Sequence, residues 1–149
     1  LREITADQEN AVTRRFFAMC AEAKIDVQHI LYDTADIAHL ARLVAQGDVP
    51  HDGLKTLIVL GRYTSGQTST PAEVAALAQR LKSALPDADW AACAFGPQET
   101  ACLIEAMRHG GKTRIGFENN RLNTDGQVAA NNAERVTELV TQAKRAGFA

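Results

Sequence analysis

Apolar residues recur along this chain at helical spacing, and short apolar runs fall between those stretches, so helices and strands are predicted in alternation. Residues 5–24 place Val12, Phe16, Met19, Cys20 and Ala23 on one face, which predicts a helix buried through that face. Residues 25–33 follow as a strand with Ile30, Leu31 and Tyr32 as its apolar centre. Asp33 or Thr34 caps the next helix, whose stripe is Ile37, Leu40, Ala41 and Val44, and Gly47 ends it. Residues 56–61 form a continuous apolar run, the pattern of a strand covered on both faces. A polar loop, 62–69, leads to Thr70-Pro71-Ala72-Glu73, which combines a capping Thr, Pro in the first turn and Glu at the third position. Val74, Leu77, Ala78, Leu81 and Leu85 give that helix its apolar face. Residues 90–96 read as the next strand, and Pro97 opens a helix whose core side is Leu103, Ile104 and Met107. Gly110-Gly111 ends it, a further strand follows, and a last helix over 132–146 packs through Val136, Val140 and Ala143.

The order is α-βα-βα-βα-βα, with connections short enough to require parallel strands and right-handed crossovers. Four strands do not close a (β/α)₈ barrel, so the pattern fits a small open sheet or half of a barrel equally well.

The strand after Gly111 carries the candidate chemistry. Read as extended, Lys112 to Asn120 turns Arg114, Gly116 and Glu118 to one side, and Ile115 and Phe117 to the other. A cation and a carboxylate separated by glycine leave room for a ligand or a metal at a strand's carboxyl end, where parallel α/β folds bind ligands. The same two residues could instead form a salt bridge that only holds the fold together. The loop after residue 60 holds Gly61, Arg62, Tyr63, Thr64, Ser65 and Gly66 ahead of a helix N-terminus, a setting that suits a phosphate or a CoA chain as well as an ordinary capped loop.

Composition narrows the classes. At 149 residues the chain is long enough for one domain with its own core, expected to span residues 1–149. The net charge of −2, with Lys and Arg dispersed, gives no footprint for nucleic acid. No apolar run nears the roughly 20 residues that cross a bilayer, and the start lacks the apolar core of a signal peptide. The chain begins with Leu1, which reads as a fragment or a processed or trimmed chain. Cys20, Cys93 and Cys102 show no paired spacing, which predicts packing roles and a reducing cytoplasmic setting.

The tail, from Ala106-Met107-Arg108-His109-Gly110-Gly111 through the Arg114 strand to Asn131-Asn132-Ala133-Glu134-Arg135-Val136, closely resembles the β-keto acid cleavage enzymes, the family of 3-keto-5-aminohexanoate cleavage enzyme. Earlier segments resemble that family more loosely. The resemblance implies a TIM barrel of which this chain holds the C-terminal half, the last four strands with their helices. It implies cleavage of a β-keto acid with acetyl-CoA, giving acetoacetate and a new CoA thioester, and a homo-oligomer. It also implies a divalent metal, usually zinc, held by a His-x-His pair and a glutamate. Glu118 stands where that glutamate would be, and Arg114 where the family has its last-strand arginine. Asn119 occupies the place of a catalytic aspartate, and Ile30 aligns with a further glutamate. Arg62 and Ser65 are the expected substrate contacts. His29, His39, His51 and His109 are isolated, so the remaining metal ligands would come from elsewhere. The chain is thus expected to meet its N-terminal half-barrel or another copy of itself. The rival expectation is a degenerate member that binds a ligand or partner without catalysis; a flavodoxin-like binding domain is weaker, because no phosphate fingerprint follows the first strand.

Overall fold

The computed structural model describes residues 6–63 and 65–148. The expected helix start at Thr5, the segment before it and Thr64 in the loop lie outside the described residues. The elements are α1 (Ala6–Glu22), β1 (Gln28–Leu31), α2 (Thr34–Ala45), β2 (Lys55–Leu60), α3 (Pro71–Ala84), β3 (Asp89–Ala94), α4 (Glu99–Arg108), β4 (Lys112–Thr113) and α5 (Asn132–Arg145). The four strands form one parallel sheet in the order β1-β2-β3-β4. Strands joined in chain order through covering helices are the repeating unit of a (β/α)₈ barrel, and the fold is a half-barrel of the TIM type.

The sheet has two different faces. On one, Leu31, Ile58, Leu60, Ala92 and Ala94 pack against Ile37, Leu40, Val74, Leu81, Cys102 and Leu103 from the helices. Ile58, Val74 and Leu103 are completely buried there, each worth roughly 1.5–3 kcal/mol of transfer free energy. On the other face Leu57, Val59, Cys93 and Phe95 form a small separate cluster. The 61–69 loop bends over its upper end. Ser69 Oγ donates to the Phe95 carbonyl at 2.7 Å, and a Cβ on Gly96 would stand 2.6 Å from the Gln67 carbonyl oxygen. Local capping fixes the helices as the sequence predicts: Asp33 Oδ1 accepts from Ala35 and Asp36 N–H, and Thr70 and Glu73 form a reciprocal capping box.

Three expectations are corrected. The expected buried face of α1 is largely solvent-exposed, with Val12, Met19 and Phe16 at 68, 58 and 51%. Its anchors are instead Phe17, stacked on His29 with ring centroids 5.4 Å apart, and Arg14, paired with the buried Asp48. The reason is position: among the described residues no strand lies beyond β1 to cover the rest of the helix. In β1, Leu31 is buried while Ile30 is exposed, as is Tyr32 just beyond the strand, so its apolar centre is one residue. In α5 the buried positions are Arg135, Leu139 and Ala143, and Val136 and Val140 stay 47% exposed. The helix is turned so that Arg135 reaches an ion pair inside, which draws Leu139 into the core in place of the two valines.

Candidate functional site

The strand expected over Lys112 to Asn120 is ladder-paired only at its start. Lys112 and Thr113 pair with β3, and Arg114 N–H makes a last bond to the Ala92 carbonyl at 2.9 Å. Beyond it the backbone donors find other acceptors: Gly116 N–H the Glu99 carboxylate at 3.3 Å, and Phe117 N–H the Asn132 side-chain oxygen at 2.8 Å. Asn119 and Asn120 N–H then turn back to the Gly116 carbonyl at 2.9 and 3.2 Å. The chain therefore leaves the sheet as a turn, and Glu118 reaches Arg114 by that turn rather than by strand alternation.

The outcome still brings the two residues together. Arg114 Nη2 lies 3.4 Å from Glu118 Oε2 and 3.3 Å from Cys93 Sγ. In register Arg114 follows β4 beside Cys93, on the sheet face that carries Leu57, Val59 and Phe95 and to whose cluster, among the described residues, no helix contributes. The Glu118 side chain is 65% exposed, so this pair is a weak support for stability and a free hand for a ligand.

Asn119, beside the pair, is buried, and the cause is local. Its carbonyl accepts from Gly96 N–H at 3.2 Å, tying the end of β4 to the end of β3. Its amide nitrogen Nδ2 has no hydrogen bond of good geometry among the described residues. Burial pushes the Cys93 thiol up from its ordinary value, and the nearby Arg114 charge and Asn119 amide pull it part of the way back. Cys93 is thus a neutral thiol inside the cluster.

Arg62 lies on the same end of the sheet, its guanidinium 5.3 Å from the centre of the Phe95 ring, and Ser65 is exposed in the loop beyond it. Tyr63 from this loop packs on Tyr32 at the end of β1, ring centres 4.9 Å apart. The strand ends thus present two arginines, an exposed carboxylate and a buried amide. The histidines are apart from this group: His29 stacks on Phe17, His51 lies near Asp52 and Asp87, and His109 pairs with Glu105 at 3.2 Å.

A metal implied by the resemblance does not find its donors here. Among the described residues no group of three His, Cys, Asp or Glu could hold an ion, and Glu118 faces a guanidinium. One carboxylate is short of the three protein ligands that a catalytic zinc needs.

Two residues that shape the site escape sequence reasoning. Glu99 and Arg135 are fully buried and joined at 2.9 Å, and Glu99 is also the acceptor for Gly116 N–H. Arg135 stands inside the tail segment that resembles the cleavage enzymes, which is the one signal that could have drawn attention to it. No helix of the described residues is long and apolar enough to cross a membrane. Compared with known families, residues 2–149 match the sequence model described as beta-keto acid cleavage enzyme.

Proposed function

The chain belongs to the beta-keto acid cleavage enzyme family, and from that premise we propose that it serves the transfer of an acyl unit between a β-keto acid and acetyl-CoA. The bond between the keto carbon and the carboxylate-bearing methylene breaks. The carboxymethyl fragment takes the acetyl group to become acetoacetate, and the remaining acyl group ends on the CoA sulfur. The observation that carries this reading is the Arg114–Glu118 pair at the carboxyl end of β4, open to solvent on the face whose cluster receives no helix residue among the described residues.

Arg114 stabilises negative charge as it develops on the substrate, an electrostatic role that a fixed guanidinium performs without reorganising. Arg62 and Ser65 contact the substrate or the CoA chain from the loop after β2. Glu118 offers one ligand to a divalent metal, with zinc the leading candidate, and the other ligands come from outside the described residues. Asn119 sits where the family carries a carboxylate base; an amide takes up no proton near neutral pH, so it can only donate or accept a hydrogen bond. The remaining strands of the barrel come from an N-terminal half or from another copy, and the setting is the cytoplasm.

Asn119 and Ile30, at two positions where the family has acids, favour one second reading: a member that binds ligand or partner on this scaffold without turnover. The two are separated by acetoacetate formation from acetyl-CoA with a panel of β-keto acids, together with the metal content of the purified protein. Turnover that falls in Glu118→Gln along with bound metal supports the enzyme. No turnover and no metal leaves the binding scaffold.

A further inference from the structure

Burying an ion pair costs several kcal/mol of desolvation per ion, so such a pair is a poor reason for stability and invites another explanation. Glu99 and Arg135 have side chains with 0% exposure, on two different helices. The acid splits its two oxygens. Oε2 accepts from Arg135 Nη2 at 2.9 Å, and Oε1 accepts from Gly116 N–H at 3.3 Å. Arg135 is held in turn by Thr100 Oγ1 and Asn123 Oδ1, both at 3.2 Å, and by Glu138. Gly116 begins the turn that carries Glu118 and Asn119 to Arg114 and Cys93. A side chain there would press on Asn132, whose Oδ1 would be 3.0 Å from an added Cβ.

We infer that Glu99 and Arg135 are positioning residues: the pair fixes the acceptor for Gly116 N–H and thereby sets the turn that places Glu118 and Asn119 at the strand ends. Arg135 keeps the Glu99 carboxylate from rotating, and Glu99 removes the backbone donor that would otherwise continue the β3 ladder. The turn is therefore written into α4 and α5 rather than into its own residues. The link to catalysis rests on the proposed acyl transfer; the geometric claim does not.

The test separates the acceptor from the charge. Glu99→Leu/Arg135→Met removes both, and Glu99→Gln/Arg135→Met removes the ion pair but leaves an oxygen for Gly116. Replacing both partners of a buried pair by neutral groups of similar volume spares the fold an unpaired charge. Hydrogen exchange by mass spectrometry, on the full chain with any partner it carries, should show residues 116–120 exchanging about tenfold faster or more in the Leu variant while β2 and α3 stay within about twofold of wild type. The Gln variant keeps the acceptor but loses the guanidinium that orients it, so residues 116–120 should exchange faster than in wild type and at least about threefold slower than in the Leu variant; wild-type exchange there would overturn the role given to Arg135. Wild-type exchange at 116–120 in the Leu variant overturns the inference, as does equal acceleration in both variants or acceleration spread over the whole core. Should neither double variant fold, Glu99→Asp keeps the charge but shortens the reach, and the same local acceleration is expected of it; wild-type exchange there overturns the inference. In the cleavage assay the Leu variant should lose about tenfold or more in kcat with KM changed much less, because misplaced groups cost rate. Absence of turnover in wild type itself counts against the acyl-transfer reading and leaves the exchange result standing.

Discussion

Glu118 and Asn119 are neighbours in sequence, yet one faces solvent beside an arginine and the other is buried beside a thiol. That difference sets what each substitution should do. Asn119→Asp puts a carboxylate where the family has its base, and general-base help is worth about 10²–10⁴-fold, so acetoacetate formation should rise. Turnover that stays level or falls in that variant would reject a base at this position. Cys93 and Cys102 give a second residue-scale expectation, since burial raises both thiols above their ordinary 9.0. Their protonated form is favoured by folding, so the stability they support is whole below pH 9.0 and declines as pH rises through their raised values. Melting temperature followed from pH 8 to 10.5 should therefore fall more steeply in wild type than in Cys93→Ala/Cys102→Ala; parallel curves would count against this. At this scale Arg114 and Glu118 were legible, because an arginine and a carboxylate beside a glycine stand out in an apolar strand pattern. Glu99 and Arg135 were not. Periodicity reads charged residues as outward-facing, and the burial of this pair comes from a long-range contact, 36 residues apart in sequence.

Among the elements, the ends were easier to read than the faces. Asp33, Thr70 and the Gly110-Gly111 pair act through local hydrogen bonds and backbone conformation, which the sequence states directly. Faces depend on what lies across from them, so α1 and α5 departed from expectation. β4 departed for the same reason, since side chains from α4 and α5 take the donors that a longer ladder would use. Thr70→Ala tests a cap. It deletes the acceptor for Glu73 N–H and half of the capping box, and should cost about 1 kcal/mol, seen as a lower urea midpoint with unchanged slope. A larger test is Gly96→Ala. Gly96 has φ 96° and its missing Cβ leaves space for the Gln67 carbonyl, so a methyl there forces the loop away. A loss of roughly 1–3 kcal/mol is expected, measured by the same titration, whereas a variant as stable as wild type would show that the loop yields freely.

For the whole molecule, chain order and parallel pairing followed from the alternation of elements, but whether four strands stand alone could not be read from any local pattern. The structure gives that question a physical form. Among the described residues no strand pairs with the outer edge of β1 or of β4. On α1, whose Phe17 stacks on His29 of β1, Val12, Phe16 and Met19 are more than half exposed; beside β4, Val136 and Val140 border a groove with Met107, Ile115 and Phe148. Open strand edges flanked by apolar side chains favour association, because pairing satisfies the backbone donors and acceptors while removing the side chains from water. The chain should therefore sediment as a species larger than 16.1 kDa, bound to an N-terminal half-barrel or to another copy. Val136→Lys/Val140→Lys should shift it toward the monomer, since burying two unpaired ammonium groups in the contact costs more than the apolar area returns. A similar change on α1, Phe16→Lys, reports on the opposite edge, and unequal effects of the two variants would reveal which edge carries the contact. A monodisperse 16.1 kDa wild type that unfolds in one cooperative transition would instead show that the half-barrel closes its own core and needs no second half.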